Sequence, residues 1–302
     1  MDWQMTEIQQ AAKELGGQIL KSGVEDPFAA LDESGLLELE DLKDIAALLI
    51  EVGRTCSDAP VLEHLVLGWG GEGARRSGAW AEAGPLSTRY EGGLHGTKVA
   101  VSLGDATHLV VLARDGLYEV AVADCVLEEN GGTDEIALHT VRFEGTPAER
   151  LEVSVQAWRQ RALVGLAAVQ LGLAKAALVM TSTYVTGRHQ FGKPVATFQA
   201  VSQRAADAWI EVQAMEVTLW QAAWRIDAGL PAEREVLIAA WQASEGGHKV
   251  LAAAQHLHGG TGYDKDYPLY RYFLRQRRLG LTLGGAEQRL EELAATLGVH
   301  AG

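Results

Sequence analysis

Apolar residues at Leu36, Leu39, Leu42, Ile45, Leu48 and Leu49 recur every three to four positions through Leu36–Val52, the period of a helix with one buried face. A shorter amphipathic helix precedes this stretch; Gly16-Gly17 is expected to break it, and Ser22–Pro27 reads as a turn. From about Gly68 the period changes. A glycine-rich loop leads into short β-favouring runs at Lys98–Leu103, His108–Ala113, Leu117–Val122 and Glu135–Phe143. Asp115-Gly116 and Asn130-Gly131-Gly132 lie between runs, which predicts a small antiparallel sheet. From about Glu149 helical spacing returns, with Phe198, Val201, Ala205, Trp209, Val212, Met215 and Leu219 on one face. Two long helices meet at a turn over Gly187–Pro194, a third runs over about Ala232–Leu257, and shorter ones follow over about Leu269–Leu279 and Ala286–Leu297. The expected architecture is mainly α with a small β domain. A helical domain occupies 1–70, a reduced antiparallel β domain 71–148 and a C-terminal helical bundle 149–302.

Composition narrows the partners. A net charge of −14 over 302 residues argues against nucleic acid or an anionic membrane surface. Cys56 and Cys125 lie far apart without CxxC spacing, which excludes a thiolate zinc cluster and a disulfide framework and suits a reducing cytoplasm. The N-terminus is acidic and amphipathic, unlike a secretory signal. The longest uncharged apolar stretch, Ala162–Ala174 between Arg161 and Lys175, falls short of the roughly 20 residues that span a bilayer. It reads as the buried face of a bundle helix.

Some patterns are decoys. Gly68–Gly73 fits GxGxxG literally, but no βαβ unit surrounds it. His256 and His258 are two apart, so on a helix they point in different directions, and no metal site is expected. Trp209, Trp220 and Trp224 read as bundle core. Two segments stand out. In Tyr184–Pro194, Arg188 can fork onto a pyrophosphate, Gln190 can bond a polar ring edge and Phe191 can stack. In Gln255–Tyr263, closely spaced glycines let backbone N–H groups approach a ligand. Taken singly, each segment equally suits a plain helix end, with Arg188 answering the macrodipole and the glycines stopping a helix.

In this order and at this separation, the two segments resemble the paired signatures of the acyl-CoA dehydrogenases. The first is Arg188-His189-Gln190-Phe191-Gly192-Lys193-Pro194 with Phe198-Gln199-Ala200-Val201; the second is Gly259-Gly260-Thr261-Gly262-Tyr263 followed by Asp266-Tyr267-Pro268 and Arg271-Tyr272-Phe273. Leu94–Arg114 is similar to the family's middle-domain hairpin. The resemblance implies FAD at a subunit interface, with its adenine and pyrophosphate half held by the neighbour's bundle. Arg188, Gln190, Phe191, Gly259 and Gly260 match the residues that hold it, and His256 stands where a glutamine is usual.

The resemblance also implies a base. Most members place a glutamate before a Gly-Thr pair ahead of the last helix, where this chain has Leu283; others place it near the start of the first bundle helix, where Trp158–Leu166 holds no acid. Ala81–Gly93 keeps neither the acid pair nor the length of the family segment that lies against flavin and substrate. The resemblance is thus to the short, base-lacking subunit of heteromeric, steroid-degrading members. It implies a heterotetramer with a full-length paralogue that carries the glutamate, a steroid-derived acyl-CoA and an electron-transferring flavoprotein as acceptor. Two alternatives remain at this point: a homomeric enzyme with Glu287 as a displaced base, and a flavin-free assembly scaffold.

Overall fold

A computed structural model of the chain describes residues 4–68 and 74–298; of the Gly68–Gly73 motif, all but Gly68 lies outside the described residues. Its helices are α1 (Glu7–Lys21), α2 (Pro27–Glu33), α3 (Leu42–Thr55), α4 (Val155–Gly187), α5 (Gln199–Asp227), α6 (Glu233–His258), α7 (Leu269–Thr282) and α8 (Gly285–Thr296). The strands are β1 (Arg76–Ala79), β2 (Arg89–Tyr90), β3 (Leu94–Val101), β4 (His108–Ala113), β5 (Gly116–Ala121), β6 (Val126–Asn130), β7 (Leu138–Thr146), β8 (Glu149–Leu151), β9 (His189–Gln190) and β10 (Lys193–Pro194). Backbone contacts divide the chain into two units. One takes the chain up to Gly23, Asp41–Ser57 and everything from Leu163 onward; the other takes Val24–Glu40 and Asp58–Ala162.

In the first unit a capping box starts α1: Thr6 Oγ1 accepts from the Gln9 N–H at 3.2 Å while Gln9 Oε1 accepts from the Thr6 N–H at 3.1 Å. Gly16 and Gly17 do not break this helix, against expectation. Both are buried, and a Cβ on Gly17 would sit 3.0 Å from Glu51 Oε2, so the bare backbone lets α3 close on α1. The apolar repeat that begins at Leu36 is not helical until Leu42. Asp41 makes no capping bond; Asp227, at the end of α5, caps α3 instead, accepting from the Leu42 N–H at 2.8 Å and the Lys43 N–H at 3.1 Å. α4 has the length and hydropathy of a membrane span, yet 72% of its most apolar window is buried inside protein, as in a bundle core. On α5 the buried face is Ala208, Val212, Met215, Leu219, Ala222 and Ala223. Trp209 is 56% exposed and Trp220 and Trp224 are half-buried, so the expected aromatic core is corrected to an apolar but largely small-residue face.

The second unit holds two four-stranded sheets, β1-β4-β5-β8 and β2-β3-β7-β6, rather than one. All pairings are antiparallel except β1 with β4, which is parallel. Alternation explains the core. Leu109, Val111, Tyr118 and Val120 from the first sheet pack with Leu94, Val101, Val141 and Phe143 from the second. Val110 and Leu117 point the other way, onto Trp158, whose indole N–H donates to the Leu67 carbonyl at 2.8 Å. β6 escapes sequence reading because it is an acidic edge strand with four of its five residues exposed, so it carries no buried-face pattern.

One ion pair sits inside this unit. Lys98 on β3 is fully buried and its ammonium lies 2.6 Å from Glu82 Oε1. Glu82 also accepts from the N–H and hydroxyl of both Ser87 and Thr88, at 2.6 to 3.1 Å. Burial alone would raise the Glu82 carboxyl, but the bonds from Lys98, the Thr88 hydroxyl and the Ser87 hydroxyl and N–H outweigh it and hold it at about 2. Glu82 thereby ties the loop before β2 to β3.

Lys98→Ala is expected to destabilise the chain by about 3–5 kcal/mol, because it leaves a buried carboxylate without its counter-charge; urea unfolding measures this. A folded-state value near 2 against 4.5 for the free group means that Glu82 stabilises the fold above about pH 4.5 and progressively less as pH falls towards 2. The stability difference between wild type and Glu82→Gln should therefore shrink over that interval in urea melts run at stepped pH.

Candidate functional site

The α4–α5 turn is built by two backbone bonds, from the Arg188 N–H to the Tyr184 carbonyl and from the Val195 N–H to the Arg188 carbonyl, each 2.8 Å. Between them β9 and β10 pair as a minimal hairpin, Gln190 opposite Lys193 and His189 opposite Pro194. Phe191 and Gly192 form its tip with φ of +53° and +77°. Two positive φ values in a two-residue loop match the twist of a hairpin. Glycine adopts them freely; a bulky aromatic does so under strain, on the order of 1–3 kcal/mol. Phe191 is also 92% exposed, touching only Phe198 edge-on at 6.2 Å among the rings. Arg188 and Gln190 are exposed too, and no carboxylate pairs with Arg188 among the described residues.

The second segment begins where α6 ends. Gly259, at φ +58° and ψ −136°, breaks the helix in a conformation open to glycine alone, and its N–H is received by the carbonyls of Gln255 and His256. An added Cβ on Gly259 or Gly260 would meet nothing within 4 Å, so both backbones face open space. The two expected histidine positions behave differently. His256 is exposed, whereas Gln255 is buried and donates its amide to the Gly262 carbonyl at 2.7 Å. His258 is buried, with Nδ1 2.8 Å from the Ala254 carbonyl and Nε2 3.0 Å from the Tyr267 hydroxyl. Burial lowers its pKa below the ordinary imidazole value, opposed only in part by the Ala254 bond.

The two segments meet at their roots. The Tyr184 ring stacks on His258 at 4.4 Å and 25°, and its hydroxyl lies 3.2 Å from Thr261 Oγ1. Tyr184 stands four residues before Arg188, one helical turn away. Some seventy positions of sequence are thus closed by one aromatic contact. Sequence reading missed Tyr184, His258 and Tyr267 as a group; Tyr184 precedes the first signature and Tyr267 lies in the second, but only the contact between the ends of α4 and α6 joins them.

At the α7–α8 junction, Leu283 is 1% exposed. Gly284 and Gly285 follow at φ +90° and +75°, and a Cβ on Gly284 would lie 2.7 Å from the Arg289 guanidinium. A buried hydrocarbon can neither take nor give a proton. Glu287 is exposed in the first turn of α8, where a carboxylate complements the helix N-terminus. A cavity of about 570 Å³, also unread from the sequence, lies between the start of α1 and α5, with Trp220, Trp224, Lys43 and Glu216 on its wall. Among the described residues no three His, Cys, Asp or Glu side chains gather as a ligand set for a metal.

Arg188, Gln190, Phe191, His256, Gly259 and Gly260 therefore present a forked cation, an amide, a free aromatic face, an imidazole and bare backbone, all exposed on one unit. That donor set fits an anionic nucleotide: guanidinium and backbone N–H for phosphate, ring and amide for the base.

Comparison with known proteins places the chain among recognised relatives. The family described as acyl-CoA dehydrogenase, C-terminal domain, matches residues 159–298. Acyl-CoA dehydrogenase FadE27 of Mycobacterium tuberculosis is 41% identical over 138 residues, which is 43% of this chain and only 37% of that relative. A solved variant of the Tcur3481-Tcur3483 steroid ACAD is 31% identical with a TM-score of 0.89, covering 97% of this chain and 98% of its own. The ChsE4-ChsE5 complex from Mycobacterium tuberculosis is 27% identical with a TM-score of 0.89 and full coverage of both chains.

Because the Phe191 backbone is strained, Phe191→Asn, which forms the favoured Asn-Gly hairpin tip, should stabilise the isolated chain by about 1 kcal/mol. Thermal melting of the two proteins measures it; a lower melting temperature for the variant would contradict the strain.

Proposed function

The chain belongs to the acyl-CoA dehydrogenase family, and from that premise we propose that it is one subunit of a heteromeric FAD-dependent acyl-CoA dehydrogenase. In this reading it completes the FAD site of a full-length paralogue and leaves proton abstraction to that partner. The observation that carries the reading is the pairing of a buried Leu283 at the family's base position with an exposed nucleotide-type donor set on the same unit. Support comes from the two full-length structural relatives, whose names each join two proteins, Tcur3481 with Tcur3483 and ChsE4 with ChsE5.

The reaction class, α,β-dehydrogenation of a CoA thioester, requires a carboxylate to take the α-proton and an acceptor for the β-hydride. FAD, when bound, supplies that acceptor. This chain's contribution is binding. Arg188 would supply the forked cation for the pyrophosphate, Gln190 and Phe191 would serve the adenine end, and His256 with the Gly259 and Gly260 backbone would complete the grip. The substrate is a steroid-derived acyl-CoA, by likeness to the steroid ACAD. The assembly is a heterotetramer in the cytoplasm, electrons leave to an electron-transferring flavoprotein, and the chain keeps the family's helical, β and bundle order at 1–70, 71–148 and 149–302.

Expressed alone, the chain should purify without a flavin spectrum and without dye-coupled acyl-CoA oxidation; expressed with its full-length genomic neighbour it should show both. Arg188→Ala should weaken FAD binding to the complex about 10- to 100-fold, the range for losing a charge-assisted hydrogen-bond pair. A lone chain that binds FAD, oxidises substrate and is silenced by Glu287→Gln would replace this reading with the homomeric one. Full FAD content in the Arg188→Ala complex would favour the scaffold.

A further inference from the structure

We propose that His258 is a positioning residue for the nucleotide loop: stacked on Tyr184 and hydrogen-bonded to Tyr267, its imidazole holds Gly259 and Gly260 in place beside the root of the Arg188 turn. The proposal rests on the nucleotide-binding role given above.

The bonding pattern sets the state of the ring. The Ala254 carbonyl can only accept, so the 2.8 Å contact assigns the proton to Nδ1. Nε2 is then a lone pair, and the Tyr267 hydroxyl donates to it at 3.0 Å. Tyr184 covers one face of the ring, and Tyr267 lies against it at 5.2 Å between centroids. The loop Gly259–Tyr263 is consequently gripped at three points: Tyr184 on Thr261, Gln255 on the Gly262 carbonyl, and His258 on the tyrosine that follows the loop. None of the three grips uses Arg188, Gln190, Phe191 or His256, which stay exposed for a ligand.

The grip requires a neutral imidazole. On protonation Nε2 becomes a donor, Tyr267 must turn its hydroxyl away, and a charge appears in a buried place. The groups that face the ring are Tyr184 from α4, Tyr267 from the loop before α7 and the Ala254 carbonyl within α6; no charged side chain contacts it among the described residues. Burial depresses the imidazole's affinity for a proton in the same direction. The histidine's contribution is therefore complete above the ordinary imidazole value and is lost as pH falls through the lowered one. His189 and His256 lie exposed on the two segments, and Asp264 and Asp266 lie exposed on the loop, so the variants below are needed to isolate His258.

The test measures FAD dissociation constants of the co-expressed complex by flavin fluorescence at about pH 7.5 and about pH 5.5. It compares wild type, His258→Phe, Tyr267→Phe and Arg188→Ala, with histidine NMR of the wild-type chain alongside. Tyr267→Phe, which keeps both rings and removes one hydroxyl, should weaken binding about fivefold at the higher pH, the factor of one net hydrogen bond. Wild type should bind more weakly at the lower pH, and His258→Phe should lose that dependence although His189 and His256 remain. The NMR titration should give His258 a midpoint below about 6.5. Identical pH profiles for wild type and His258→Phe, or unchanged binding by Tyr267→Phe, overturn the proposal. Unchanged binding by Arg188→Ala overturns the nucleotide-binding reading instead, whatever the other variants do.

Discussion

Where α3 crosses α4 the two backbones touch. A Cβ on Gly53 would lie 2.9 Å from the Gly172 Cα and would run into the Val169 carbonyl; a Cβ on Gly172 would lie 2.8 Å from the Arg54 nitrogen and would run into the Ile50 carbonyl. Any larger residue at either position forces the helices apart. This crossing fixes where α4 sits along α3, and α4 continues from it for twelve residues, about 18 Å of helix, to Tyr184. The Arg188 turn inherits its position from there.

Two other contacts hold the helix ends that the crossing leaves free. Asp227 caps α3 from the far end of α5, satisfying two N–H groups that the local sequence leaves unpaired. Tyr184 and His258 join the ends of α4 and α6. Polar groups in these places, buried at His258 and half-buried at Asp227 and Tyr184, are matched, and they serve position. The groups with recognisable binding chemistry show the opposite pattern. Arg188, Gln190, Phe191 and His256 are exposed, and Phe191 holds a strained backbone with almost no contact of its own. Strain and exposure together mark a surface organised for something outside the chain.

Much of this was legible beforehand. The helical period located α4 to α8 within a few residues, and the Arg188 and Gly259 segments announced themselves by residue type. The failures share a cause. Gly16-Gly17 reads as a break because glycine is a poor helix former, but Glu51 from a distant segment occupies the space that a side chain would need. β6 has no apolar alternation because it is an edge strand. Trp209 fits the helical stripe of α5, yet the buried face there runs through Ala208. Lys98 and Glu82 look like surface charges, sixteen residues apart, until the sheet brings them to 2.6 Å inside the core.

Local rules act through neighbours in the chain, so residue order by itself determined the helical periods, the loop chemistry, the leucine at position 283 and the signatures that name the family. It could not say which partners meet across long separations. Tertiary packing alone decided that Asp227 would cap α3, that Lys98 would be buried with Glu82, and that His258 would lie against Tyr184. Each of these depends on where two helices or strands come to rest, and that is set by close packing of whole faces, such as Gly53 on Gly172, which no short window of residues contains.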